Sequence, residues 1–525
     1  MKRLILSAIL LGTLTSAGPG QVAIRVVTKA RIPSAEAMDR LGLTLGWHAQ
    51  LPLEGPRDGI ATVQVIPRGI GEWMRTELLV QTLAGVVYLY DAETGTLRWS
   101  TGVGLPFSQT FPAAYNSNSI IVNRREYFYL LNRDTGVQRV YKKGAVDRLF
   151  GVRLDTVPSA APVADDELLV FPFEDRLLAF SLPDFDRLEI ARQRDPSIVE
   201  MERTGSVQPI EIWNHFDPTM KLNSTPTLSH FVVGATADRG RVFTLRRTDG
   251  KPLYPVRIDG NAATGLGQSG EVLYASSQES ATYAIDVDRE RVNWRFPQGG
   301  PALRRPDIND ADAFIRVEGR GLFRVERQRG QTYWLNSDAD RFLAVHYLRD
   351  AAGKFVQDRQ HHVLAKYVYA YDRYGRLLIL DGDRGTLMGQ YDTSAWTVPI
   401  VNEWTDRLYL GNQDGQLMAL RARSGRLPQI CKSVLAPRKI EAKRAVAPVA
   451  IELPEKKEKE MEKEKEKSKD DKTSRLLPPT RPVPVVAICR GCGCRFRVGA
   501  REGEAPAEPA PCANLPHLQC TTQAN

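Results

Sequence analysis

Cysteine, histidine and long apolar runs are all scarce in this chain, and each scarcity narrows its chemistry. The 525 residues include six Cys and seven His. No Cys precedes Cys431, so neither a disulfide framework nor a thiolate metal centre holds the bulk of the chain. The histidines are scattered. His361-His362 is the one adjacent pair, and with no Glu or Cys at metal-site spacing it is expected at a surface or strand edge. Beyond residue 20 no stretch is long and apolar enough to span a bilayer as a helix. The net charge is +9, but no dense Lys/Arg cluster with interleaved aromatics accompanies it, so nucleic-acid binding lacks its footprint.

What the chain has in place of these is a repeat. Leu89-Tyr90-Asp91-Ala92-Glu93-Thr94-Gly95-Thr96-Leu97-Arg98-Trp99 reads as a strand, a tight turn and a second strand. Degenerate copies place Gly136, Gly250, Gly330, Gly385 and Gly425 at the turn, with Glu290 replacing Gly in one copy. Gly suits a turn that needs a positive backbone angle. Asp91, Asp286 and Asp381 stand before it, where a short carboxylate can accept from the turn's own N–H groups. Trp99, Tyr254, Trp294 and Trp334 follow it, where a ring can fill the seam to the next unit and keep its polar atom for a partner.

A second landmark keeps step with the first. Pro112, Pro162, Pro226 and Pro306 each open a short strand, because Pro has no N–H to give to a ladder. The same distance separates Pro112 from Thr135, Pro226 from Asp249 and Pro306 from Arg329. Each unit then holds about four strands over about 40 residues, the signature of a β-propeller. The expected fold is all-β: an eight-bladed propeller, with seven blades as the alternative count. The copy near Leu182-Pro183-Asp184-Phe185 has lost its Gly. Residues 44–52 resemble a post-turn strand and are expected beside residues 416–421, closing the last blade and hiding its edge.

These residues resemble the pyrroloquinoline-quinone-type (PQQ-like) propeller repeat, whose docking motif runs Ala-x-Asp-x-x-Thr-Gly-x-x-x-Trp. Leu89 to Trp99 matches it except at the leading Ala, and Ala284 to Trp294 matches Ala, Asp and Trp. The resemblance covers roughly residues 44–430. It implies a structural docking set of Asp91, Thr94, Gly95, Trp99, Asp286, Trp294, Gly330, Trp334, Asp381 and Gly385. The family includes quinone dehydrogenases, which seat their cofactor over a Trp floor beside two adjacent linked Cys. This chain has no adjacent Cys pair, so a PQQ-dependent oxidoreductase is the alternative and not the main reading. Neither catalytic residues, a cofactor nor a metal site is expected. Asp307 to Asp312 faintly suggests a calcium loop but lacks Gly at its sixth position, and it aligns with a plain inter-strand turn.

The ends complete the expectation. Lys2 and Arg3, the apolar run Leu4 to Leu14 and the small residues Thr15-Ser16-Ala17 read as an export signal over residues 1–17. A lead-in (18–43), the propeller (44–432) and a tail (433–525) follow. No Cys follows the apolar run, so the lipid attachment of lipoprotein relatives has no acceptor. Glu455 to Lys472 balances acids against Lys, and Pro-rich sequence comes after it, which favours disorder. Cys489 and Cys492 could begin a zinc site with Cys512 and Cys520, though unstructured thiols fit this composition better. Residues 187–222 and 336–365 read as insertions between copies, where working loops often lie. The resulting reading is an exported, monomeric, non-enzymatic scaffold, periplasmic or secreted. Its partner would be an envelope protein, and no transmembrane span would remain after signal cleavage.

Overall fold

The computed structural model describes residues 30–139, 151–184, 209–219, 221–222, 224–254 and 256–434, and the backbone of two short strands near the C-terminus. The chain divides into two compact units, residues 1–439 and 440–525. In the second, Val485–Ile488 pairs antiparallel with Arg495–Val498. The signal at 1–17, the Cys489–Cys520 cluster and the rest of the expected disordered tail lie outside the described residues.

The first unit is an eight-bladed propeller of four-stranded antiparallel sheets. Blades 1 to 7 span Ile60 to Gly102, Ala114 to Arg153, Val163 to Phe216, Thr227 to Arg257, Gly267 to Pro297, Asp307 to Asn336 and Ala339 to Tyr391. Blade 8 takes Val398–Ile400, Leu408–Gly411 and Gln416–Ala422, and its outer strand is Leu43–Gln50 from the N-terminal side. Leu43 faces Ala422 and Gln50 faces Gln416. The first strands of blades 1 and 8, 2 and 3, 3 and 4, and 5 and 6 approach one another, which puts first strands at the axis.

The middle strands are apolar throughout because both their faces meet a neighbouring blade. In Val86–Asp91, Val86, Tyr88 and Tyr90 pack toward blade 8, while Val87 and Leu89 pack toward blade 2. Outer strands meet protein on one face only. Of Leu97–Gly102, Trp99 alone is buried. Pro112, Pro162, Pro226 and Pro306 all stand just before or at the opening of a first strand.

Three sequence expectations need correction. Residues 187–222 do not separate two blades, since Ile210–Phe216 is the outer strand of blade 3. Residues 336–365 likewise fall inside blade 7, whose first two strands, Ala339–Tyr347 and Ala365–Asp372, are joined by residues 348–364. Gly425 is not a hairpin glycine, and it lacks the positive φ of Gly95, Gly136, Gly250, Gly330 and Gly385. Blade 8 borrows its outer strand, so the chain need not turn back there. Cys431, at the end of the ring as its position in the sequence implies, carries a free thiol. It is buried with Phe342, Val345 and Tyr347 in the core between blades 6 and 7.

Candidate functional site

Two features repay a residue-level description, the seams between blades and the charged axis. At the seam from blade 8 to blade 1, Asp91 Oδ1 accepts from the N–H groups of Glu93 (3.1 Å) and Thr94 (2.9 Å) and from Thr94 Oγ1 (3.0 Å). Asp381 does the same for Asp383 and Arg384, and Asp286 for Arg289. The turn is thereby fixed, and its Gly presents bare backbone to an indole from the preceding blade. A Cβ on Gly330 would stand 2.8 Å from Trp294, and one on Gly385 would stand 2.5 Å from Trp334. Trp99 lies against Gly136, and Trp47 lies against Gly95 to close the ring.

The indole nitrogen is not held for a partner, contrary to the sequence expectation. Each donates to a carbonyl of the next blade: Trp47 to Ala92 (2.8 Å), Trp99 to Arg133 (2.8 Å), Trp294 to Arg327 (2.9 Å) and Trp334 to Gly382 (2.7 Å). Trp213 makes the same bond to Arg247 (2.8 Å) and packs on Gly250. Sequence reasoning had placed Trp213 in an insertion. The available signal was spacing, because Trp213 precedes Gly250 by the same distance as Trp99 precedes Gly136. Where Glu290 replaces Gly, at φ +51°, the ring is the smaller Tyr254, whose hydroxyl reaches the Asp286 carbonyl (3.4 Å).

The axis gathers groups that are far apart in sequence. Arg305, before the first strand of blade 6, pairs with Glu403 of blade 8 at 3.2 Å. Lys432 pairs with the other oxygen of Glu403 at 2.5 Å. Asp307 stands beside them, and Tyr115 of blade 2 feels both Arg305 and Glu403 from across the ring. Arg305 keeps 45% of its side chain accessible although protein surrounds it, as befits a group facing solvent at the axis. Burial raises the Asp307 carboxyl to about 7, helped by the Glu403 charge. For Glu403 burial acts in the same sense, but Lys432 and Arg305 outweigh it and hold this carboxyl below its ordinary value. Burial also pushes the Tyr115 phenol up to about 12.

Lys432 belongs to a strap that joins the loops of blades 8 and 6 past blade 7. Cys431 donates its N–H to the Trp404 carbonyl (2.7 Å), and its own carbonyl accepts from Asp310 N–H (2.9 Å). Ser433 donates to the Asp310 carboxylate through N–H (2.9 Å) and hydroxyl (2.5 Å). These groups do not fit a quinone seat. The positive charges are already matched by carboxylates, and the Lys432 ammonium lies 5.0 Å from the centre of the Trp404 ring. Among the described residues no group of His, Cys, Asp and Glu could hold a metal ion. Asp307 to Asp312 forms a strand end and turn, with Asp312 bonded to the buried Arg324 (2.9 Å). His361 is exposed at φ +64°, and His362 lies edge-on against Tyr333.

Eight four-stranded blades with Trp–Gly seams define a propeller of the repeat-docking class. Residues 201–430 match the family model described as outer membrane protein assembly factor BamB. With the repeat, this makes the ring a PQQ-like β-propeller. Solved structures similar to it include BamB from Moraxella catarrhalis, at 14% identity and a TM-score of 0.49, with 73% of this chain and 99% of that chain covered. Another is the computationally designed Ika8 protein, at 12% identity and a TM-score of 0.47, with 70% and 97% covered. No curated protein matches the chain.

Proposed function

We propose that this chain is an exported, non-enzymatic PQQ-like propeller that acts as a protein-binding or assembly scaffold in the cell envelope. The carrying observation is the match of residues 201–430 to a family described as an outer membrane protein assembly factor. The axis supports the same reading. Its cations are matched by the chain's own carboxylates, and the 431–433 strap ties the loops of blades 8 and 6 together beside it. The ring faces are then the working surfaces, with the docking residues Asp91, Thr94, Gly95, Trp99, Asp286, Trp294, Gly330, Trp334, Asp381 and Gly385 serving to keep the blades in register. The protein would work in the periplasm or outside the cell. No described helix is long and apolar enough to cross a membrane.

Cross-linking in intact envelopes, followed by purification of the tagged chain, tests this. An envelope protein recovered in stoichiometric amount is the expected result. A chain that purifies alone, binds quinone with Ca²⁺ and turns over an alcohol or sugar overturns it.

A further inference from the structure

Most indoles here are buried in seams, but Trp73 is 85% exposed. It sits at the tip of the hairpin that joins the first two strands of blade 1, Ile60–Arg68 and Arg75–Thr82. Gly69 and Gly71 turn the chain at positive φ, and a single 3₁₀ turn, Gly71–Trp73, carries the indole. Ile70 beside it is 46% exposed.

This hairpin outreaches its neighbour. Gln64 bonds to both backbone groups of Ala113 in blade 2, at 2.8 and 3.1 Å, so the two first strands are level there. Blade 2 turns back after Tyr115, whereas blade 1 runs on to Arg68. Two more residues carry the tip roughly 7 Å further. Its base is fixed by Arg133, a buried guanidinium that donates to the Pro67 carbonyl (2.6 Å), the Asn116 carbonyl (2.5 Å) and the Glu77 carboxylate (2.9 Å). An exposed apolar tip on a rigid base is prepared for binding, since little freedom remains to be lost.

The surroundings indicate what it binds. Blade 2's turn, tied to the hairpin by Arg68–Asp134 (2.5 Å), presents Val137 at 58% exposure. Blade 8's last turn, tied to blade 1 by Arg407–Glu93 (2.7 Å), presents Leu427 at 81%. Of the nearby carboxylates, Glu93 and Asp134 are thus already matched, while Glu72 stands in the tip's own turn. Arg75 and Arg426 are exposed, and neither enters an ion pair among the described residues. Apolar tips spread over three adjacent blades, with exposed arginines on the segments of two of them, do not converge as a single protein pocket would require. They suit a planar anionic surface, where Trp settles at the interface, aliphatic tips enter the acyl boundary and arginines meet head groups.

We propose that this face docks on an anionic lipid surface, with Ile70 and Trp73 inserted and Arg75 and Arg426 on the head groups. The proposal goes beyond the scaffold reading and rests on geometry alone. The test uses the full chain with vesicles of phosphatidylethanolamine and phosphatidylglycerol, and with phosphatidylcholine vesicles as the neutral arm. Binding to the anionic vesicles, weakened by salt, is expected, with a blue shift of Trp73 emission and quenching by brominated acyl chains. Trp73→Ala should weaken binding about tenfold or more, and Arg75→Ala with Arg426→Ala about fivefold per charge. The thermal melt of Trp73→Ala should match the parent, because the side chain packs on almost nothing. Absence of vesicle binding, or binding indifferent to Trp73→Ala, overturns the proposal. So does an indole that vesicles leave accessible to acrylamide and a soluble envelope-protein extract protects, which would assign the tip to a protein pocket instead.

Discussion

The seam from blade 5 to blade 6 and the seam from blade 2 to blade 3 solve one problem differently. In the first, Trp294 packs on Gly330 and donates to the Arg327 carbonyl, so position and orientation are both specified. In the second the outer strand of blade 2 is only Val152–Arg153, and the described contact is made by Phe128, Phe171 and Phe180, with ring centres 5.0 to 6.0 Å apart. A phenyl cluster supplies apolar burial and edge-to-face contact without a directional bond. The repeat motif adds a directed bond at the outer strand, whereas blades 2 and 3 make theirs between first hairpins, where Ser117 donates to Asp166 through N–H (2.9 Å) and hydroxyl (2.6 Å) and the Asn116 amide donates to the Asp165 carbonyl (3.0 Å). The seam from blade 7 to blade 8 takes a third course. The helix Ala35–Arg40, capped by Ser34, lays Met38 into the cluster of Tyr371, Leu377 and Trp396, and Leu41 approaches Gly389, where the aromatic would otherwise stand.

The largest effect should come from removing the ring. Trp294→Ala should cost about 3–5 kcal/mol, and Phe171→Ala should fall in the same range, since both delete a buried aromatic. Trp294→Phe separates the two seams. It retains most of the ring but leaves the Arg327 carbonyl without its donor, a loss of about 1–2 kcal/mol beyond packing, whereas Phe171→Leu should cost under about 1.5 kcal/mol. Denaturant melts of the four variants decide this, and equal costs for Trp294→Phe and Phe171→Leu would remove the directional role of the indole.

A smaller contrast lies in the glycines. Gly330 and Gly425 occupy equivalent places in the repeat, yet Gly330 has φ +71° with its Cβ position 2.8 Å from Trp294, and Gly425 has no positive φ and nothing nearer than 3.5 Å. Gly330→Ala should cost about 2 kcal/mol through backbone strain and displacement of the indole. Gly425→Ala should stay within about 0.5 kcal/mol. A matched pair of thermal melts checks it.

That contrast also marks how far the sequence could be read. Turn glycines, strand-opening prolines and the borrowed strand at 44–52 were legible because each answers a local demand: positive φ, a missing N–H, an edge needing cover. Trp213 was masked by the stretch between it and Ser181, although its distance to Gly250 would have disclosed it. Gly425 misled because the motif carries no mark of whether the following strand is continuous or borrowed. The axis was illegible in kind. Arg305 with Asp307, Glu403, and Lys432 come from three separate segments, and only ring closure brings these together.

The axis and the seams should also differ in their response to pH. The Trp–Gly contacts of the seams carry no group that titrates in the acid range and should add no pH dependence of their own. Asp307 should not. Its carboxyl is raised to about 7 by burial and by the Glu403 charge, so the folded ring holds a proton there that the unfolded chain, with an ordinary Asp value, releases. Between those two values the folded state carries more protons than the unfolded one, so stability must fall as pH rises. The contribution is complete below the ordinary Asp value and is lost as pH passes through about 7. Asp307→Asn removes the titration but keeps the shape. The difference in melting temperature between parent and Asp307→Asn should therefore shift by about 2 °C or less across this window, in the direction that favours the variant at the higher pH. A parallel pair of profiles would mean that Arg305 and Lys432 already hold both carboxylates ionised.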